Sequence, residues 1–156
     1  METTTLAQAE GQNTAWIHAT CVAVEDRGIL ILGPSGVGKS DLALQLMALG
    51  AQLVSDDRVA LDMKDDQVLA DTVPPIYGLI EARGVGLLRA APAGATAVHF
   101  VVDLEQIETA RLPEHHFIRV LRRTVPLLRG AGVPNLAAAL IQIAKMGRVD
   151  PEWPST

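Results

Sequence analysis

A chain of 156 residues, 49% hydrophobic and 20% charged, is sized for one domain and can bury a core of its own. Its net charge of −5 argues against a nucleic-acid binder, which carries a basic excess. No window approaches the ~20 uninterrupted apolar residues of a membrane span, so no membrane partner is expected. The first residues, Met-Glu-Thr-Thr-Thr, form neither a basic n-region nor an apolar h-region, and the single cysteine, Cys21, has no internal disulfide partner. These features give the expectation of a cytoplasmic protein with a mostly aliphatic core, since only 3% of the residues are aromatic.

Residues 1–14 are polar and turn-prone and are expected to be a flexible N-terminus. Residues 15–24, from Ala15 to Val24, read as one strand, with Cys21 as a small buried hydrophobe in it. Glu25-Asp-Arg-Gly28 is a hairpin-type turn, so the next strand, 29–32, runs antiparallel to the first. It feeds Gly33-Pro-Ser-Gly-Val-Gly38-Lys39-Ser40, and a helical pattern follows to Leu49, with Leu42, Leu46 and Leu49 on one side and Gly50 as a C-cap. Strand, glycine-rich loop, then helix is the context of a phosphate-binding P-loop. Gly33, Gly36 and Gly38 let successive N–H groups turn inward toward phosphate oxygens. Pro34, Ser35 and Val37 complete the loop; Lys39 can reach the β- and γ-phosphates, and Ser40 can place its hydroxyl on Mg²⁺.

Ala51 to Ser55 is a short strand ending in Asp56-Asp57. Neighbours on a strand face opposite ways, so the two carboxylates should have different tasks, one on Mg²⁺ or on the proton of an incoming hydroxyl, the other bracing a neighbour. Residues 58–63 and 67–70 read as the arms of a hairpin across Lys64-Asp-Asp66. Thr72-Val-Pro-Pro-Ile76 is extended, and a helical turn is expected over 76–82. Glu81-Ala-Arg83-Gly-Val-Gly86 sets an acid and a base beside two glycines; the acid could complete a Mg²⁺ shell, and the arginine could hold a phosphoryl group, where a surface ion pair is the plainer alternative.

Val98 to Asp103 reads as a central strand and 104–116 as a polar loop carrying Arg111 and the pair His115-His116. Arg111 could approach a γ-phosphate as a charge-stabilising clamp. The histidine pair lacks the further ligands of a zinc site. Strands follow at 117–121 and 124–128, a turn at 129–132, and a helix from an Asn135 N-cap to about Gly147, with Leu136, Leu140, Ile143 and Ala144 on its apolar face. Arg119, Arg122, Arg123 and Arg129 form a basic stretch, either a solvated face or a surface for phosphate or an acidic partner. The tail, 148–156, has no regular pattern. The fold class is α/β, a P-loop-containing mixed sheet with flanking helices, since there are more strands than a simple alternating chain would have.

Three segments coincide in one family. Gly33-Pro-Ser-Gly-Val-Gly-Lys-Ser-Asp41, Leu53-Val-Ser-Asp-Asp-Arg-Val59 and Leu79-Ile-Glu-Ala-Arg-Gly-Val-Gly86 resemble the catalytic domain of HPr kinase/phosphorylase, the P-loop serine kinase acting on the HPr carrier of the bacterial phosphotransferase system. The resemblance runs from Trp16 to Met146 and marks 15–147 as a catalytic domain. It implies that Lys39 binds the donor phosphates of ATP, that Ser40 and Glu81 hold Mg²⁺, and that Asp57 takes the proton from the substrate serine and returns it in the reverse reaction. It gives His18 and Arg111 catalytic roles, inorganic phosphate as the reversing substrate, a hexamer, and a fold similar to phosphoenolpyruvate carboxykinase. From its position alone, His18 is either an ordinary strand histidine or a neighbour of the phosphate site.

Two departures from the family bear on function. The amino-terminal domain of longer members is not expected in this sequence, so regulation seated there is not assumed. Gly132-Val-Pro-Asn135 stands where the family has a Gly-Arg-Asn stretch tied to dephosphorylation, which makes phosphorolysis less secure than kinase activity. A different class of function, a non-catalytic module that senses ATP or phosphate and signals through a partner, fits the same loop; a small-molecule kinase fits less well, because the chain is short for the usual lid insertions.

Overall fold

A computed structural model describes residues 1–150. The organising strand is β10 (Thr96–Ile107), which joins two halves into one ten-stranded sheet. Its first residues, Thr96 and Ala97, pair antiparallel with β7 (Gln67–Asp71), and its remainder runs parallel to β4 (Arg27–Leu32) and β12 (Arg123–Ala131). Beyond β4 lie β3 (Thr20–Val24) and β5 (Gln52–Ser55), both antiparallel to their neighbours; beyond β12 lies β11 (His116–Val120). The other half continues from β7 through β6 (Arg58–Lys64), β2 (Thr14–His18) and β1 (Thr3–Thr4). A separate hairpin pairs β8 (Leu79–Ala82) with β9 (Gly86–Arg89).

The period of two along the central strands explains the layering. Ile29, Ile31, Phe100 and Val102 face α2 (Lys39–Ala48) and α3 (Leu136–Met146), in one core with Leu42, Leu46 and Leu140. Leu30 and Val101, one residue out of phase, face a second core with Ile17, Val59, Leu61 and Val68 from the other sheet half. A central sheet buried on both faces needs apolar side chains at consecutive positions, as Ile29-Leu-Ile31 and Phe100-Val-Val102 supply. Turn chemistry closes the hairpins. Glu25-Asp26 and Asp65-Asp66 all have positive φ, the geometry that two-residue hairpin turns require.

Several elements differ from the sequence expectation, each for a physical reason. The run 15–24 is two strands, because the chain changes partners at Ala19: β2 pairs with β6, and β3 with β4 and β5. Residues 1–14 contain β1, the start of β2 and a four-residue helix, α1 (Leu6–Ala9), closed by a capping box between Thr5 and Gln8 and anchored by buried Leu6 and Ala9. The expected helical turn over 76–82 ends instead as β8, where Ile80 and Ala82 point inward and Glu81 outward. The loop expected at 104–116 begins as the last residues of β10, and the turn at 129–132 is mostly the end of β12. Asn135 does start α3, but in a left-handed conformation and without a side-chain capping bond. Leu49, placed on the apolar face of the helix that follows the glycine-rich loop, lies just past its end and is 49% exposed. Within the tail 148–156, residues 148–150 have no regular structure and the rest lies outside the described residues.

Candidate functional site

The loop 33–38 leaves the C-terminal end of β4 and enters α2 through Gly38, whose φ of +110° suits glycine. Gly33 is fixed by contact as well as conformation: a Cβ there would lie 2.5 Å from the Val37 Cγ1 that folds over it. The first amides of α2 have no partner inside the helix, and they open onto the loop. Such a corner is electropositive without any side chain.

Lys39 adds the charge. Its stem is buried, and Nζ donates to the carbonyls of Gly33 at 2.7 Å and Pro34 at 3.1 Å, which holds the ammonium over the loop. Burial lowers its pKa from the ordinary lysine value, and the nearby carboxylates of Asp57 and Asp56 oppose that shift.

The two aspartates divide their work, but not by strand alternation. The strand β5 ends at Ser55, and the pair sits in the bend that follows, with Asp57 at φ +69°. Asp56 is 6% exposed and accepts from the hydroxyls of Thr20 at 2.9 Å and Ser40 at 2.7 Å, and from the Glu81 amide at 3.2 Å. It thereby ties β3, α2 and β8 together behind the loop. Asp57 turns outward and accepts from His18 Nε2 at 2.9 Å, with its own side chain 67% exposed. One carboxylate is a buried brace and the other an open, oriented acceptor.

The hairpin of β8 and β9 completes the enclosure. Ile80 is buried in the core with Leu42 and Leu46 of α2, which fixes the strand, and Glu81 and Arg83 line the same cavity as Lys39. The result is a polar cleft of about 210 Å³ walled by His18, Thr20, Ser35, Gly36, Gly38, Lys39, Ser40, Asp41, Asp57, Glu81 and Arg83. Its available ligands for a cation are oxygens, from Ser40, Asp57 and Glu81, which suits a hard ion such as Mg²⁺. Among the described residues no three His, Cys, Asp or Glu side chains form a ready metal cage. Mg²⁺ is ordinarily held by one or two carboxylates plus substrate phosphates, so the donor set fits that ion in the presence of a polyphosphate.

The structure therefore brings His18, Lys39, Ser40, Asp57 and Glu81 to one cleft, together with Ser35, Gly36 and Gly38 of the loop. Arg111 is elsewhere in the chain, lining a separate recess with Glu108, His116, Arg129 and Arg148. His115 accepts at Nδ1 from Arg148 across 2.8 Å, and His116 lies 3.5 Å from Glu108. Strand alternation alone left the division between Asp56 and Asp57 open, the family resemblance assigned only Asp57 a part, and neither singled out Thr20. A hydroxyl two positions after His18 was the only signal for Thr20, and the change of partner at Ala19 obscured it.

Comparison with known proteins adds to this geometry. The family model "HPr Serine kinase C-terminal domain" matches residues 10–124. The chain is 34% identical over 145 residues to an HPr kinase/phosphorylase of Exiguobacterium, covering 83% of this chain and 46% of that protein. Against an HPr kinase/phosphorylase of Levilactobacillus brevis it is 37% identical over 108 residues, 67% of this chain and 35% of that one. It thus spans about half, or less, of the length of these curated relatives. Its fold is similar to a solved Hpr(Ser) kinase/phosphatase from Coxiella burnetii, with a TM-score of 0.72 and 25% identity over 83% of this chain and 88% of that one. No helix among the described residues is long and apolar enough to cross a membrane.

Proposed function

The chain belongs to the HPr serine kinase C-terminal domain family, and from that premise we propose that it transfers the γ-phosphoryl group of ATP to a serine of an HPr-type phosphocarrier protein. The observation that carries the reading is the His18–Asp57 pair, held at 2.9 Å on the same cleft as Lys39. In this reading the glycine-rich loop is a phosphate-binding loop. Its amides and Lys39 hold the polyphosphate, and Ser40 and Glu81 hold Mg²⁺, which neutralises charge on the phosphates when bound. Asp57 accepts the proton of the serine hydroxyl as that oxygen attacks the γ-phosphorus, and the bond to the β-phosphate oxygen breaks with its electron pair leaving on ADP. His18 donates to Asp57 and keeps one carboxylate oxygen engaged, so the other faces the incoming hydroxyl. Arg83 stabilises the charge that spreads over the transferred group.

In the reverse direction an oxygen of inorganic phosphate would attack the phosphoserine phosphorus, the bond to the serine oxygen would break, protonated Asp57 would return its proton to that oxygen, and pyrophosphate would leave. The catalytic role of Arg111 requires a shift of its own segment or delivery from a second copy of the chain, and a hexamer like that of the family offers the second route. A soluble cytoplasmic setting and a fold akin to phosphoenolpyruvate carboxykinase belong to the same reading.

The test is mass spectrometry of an HPr-type carrier after incubation with this chain, ATP and Mg²⁺. The expected product gains one phosphoryl group on serine, and added inorganic phosphate reduces its yield. ATP binding without transfer to any carrier would favour a sensing module instead.

A further inference from the structure

The cleft that holds Lys39 is too small for a whole nucleotide. It measures about 210 Å³, whereas sites that enclose organic ligands of drug size run from roughly 300 to 1,000 Å³. A polyphosphate fits; the nucleoside attached to it does not. A second cavity of about 890 Å³ lies alongside, and the two share Gly38 and Asp41. The shared residues flank Lys39 and Ser40 in sequence, so the second cavity begins where the phosphate cradle ends.

The direction of the polyphosphate follows from the chemistry. The γ end must face Asp57, since the serine oxygen has to reach both. Lys39 accompanies the β- and γ-phosphates. The α-phosphate and its sugar then leave on the side away from Asp57, His18 and Glu81. None of these three residues lines the second cavity.

The walls of that cavity suit a flat ring with polar edges. Its apolar lining includes Leu42 of α2, Leu104 of β10, Val133 in the turn before α3 and Leu136 at the start of α3. Two residues with side-chain amides also line it, Gln45 of α2 and Asn135 of the turn before α3. Asn135 is held at φ +53° and spends no side-chain bond on capping its helix, although a capping residue ordinarily does so. Its carboxamide offers a donor beside an acceptor, the pattern that pairs with the N6/N7 edge of adenine.

We infer that the groove between α2 and the turn 130–138 receives the purine nucleoside of the phosphoryl donor, with Asn135 reading the edge of the base. The inference rests on the reading of the chain as an ATP-dependent kinase and adds the site that chooses the donor. The segment 132–135, which departs from the family pattern, thereby becomes a specificity element.

The experiment measures dissociation constants of the full chain for Mg-ATP and for inorganic tripolyphosphate by calorimetric titration. Two variants are used. Asn135→Gly keeps the left-handed backbone and removes the amide; Ala138→Trp fills the groove from an exposed position on α3. The expected result is an ATP affinity lowered about tenfold in each, the loss typical of one well-placed contact group, with tripolyphosphate affinity unchanged. Unchanged tripolyphosphate binding also reports an intact fold. ATP affinity at the wild-type level in both variants overturns the inference, as does an equal loss for the two ligands. Carrier phosphorylation by the wild-type chain separates the two readings. Normal transfer with undisturbed ATP binding in both variants rejects the groove and leaves the kinase; selective ATP loss with no transfer to any carrier rejects the kinase and leaves the groove.

Discussion

His18 donates from Nε2 to Asp57 Oδ1 at 2.9 Å, and the two residues reach this contact from neighbouring antiparallel strands: His18 ends β2, and Asp57 sits in the bend before β6. The pair β2–β6 brings His18 opposite Arg58, the residue after Asp57. Register therefore fixes the distance between imidazole and carboxylate before any substrate arrives. Asp57→Asn keeps the shape and removes the proton acceptor. Phosphoryl transfer is expected to fall by about 10² to 10⁴, the usual worth of a positioned general base, with Mg-ATP affinity changed little. Initial rates of carrier phosphorylation and calorimetric binding on the same preparation check both halves.

Asp56 is expected to behave differently, because it holds structure together. Its removal strands the hydroxyls of Thr20 and Ser40 and the amide of Glu81. Asp56→Ala should destabilise the fold by about 2 to 4 kcal/mol, from a buried carboxylate lost with several partners left unpaired. Urea unfolding measures this, and Asp57→Asn serves as the comparison that shifts the midpoint little.

Lys39 gives a prediction in alkaline solution. Burial lowers its pKa below 10.5 despite the opposing carboxylates. The unfolded chain then binds more protons than the folded one between that lowered value and 10.5, so this residue makes stability rise with pH across the window. Anion binding moves the other way. As the pH climbs through the lowered pKa, the ammonium loses its charge and tripolyphosphate affinity falls earlier than for an ordinary lysine. Lys39→Arg, always charged, should flatten that alkaline limb, which a pH series of tripolyphosphate titrations would reveal.

Cys21 is fully buried, and desolvation pushes its thiol up to about 12. The thiolate is the reactive form, so the folded protein should resist iodoacetamide near neutral pH and react only after denaturation. Mass spectrometry before and after urea distinguishes the two. Rapid labelling of the folded chain would show that β3 opens readily.

The parts of the fold written in local pattern were legible. Ile29-Leu-Ile-Leu32 followed by glycines and Lys39-Ser40 announces strand, loop and helix, because each element has its own spacing rule. The turns expected over 25–28 and 64–66 were visible as polar breaks between β-prone runs, and they close more tightly, at Glu25-Asp26 and Asp65-Asp66. What local pattern did not carry was the choice of partner. Nothing in Ala15–Val24 shows that the chain abandons β6 for β4 at Ala19, since both halves are equally β-prone. The same limit hid the role of Asp56, whose three donors come from residues 20, 40 and 81. The strand β8 was missed because its Ile80 is buried by α2, a contact made across thirty-odd residues, while its own sequence is short and mixed.

The bridging strand has a consequence for cooperativity. Since β10 carries both the antiparallel ribbon at its start and the parallel centre along its length, neither half can melt without disturbing hydrogen bonds of the other. At the crossing, a Cβ on Gly28 would lie 2.7 Å from the Ala97 carbonyl oxygen, so the backbones there are locked at closest approach. Amide exchange from the ribbon and from the centre should thus share one slow global opening, and a fragment cut between residues 71 and 96 should yield two pieces that fold only when recombined.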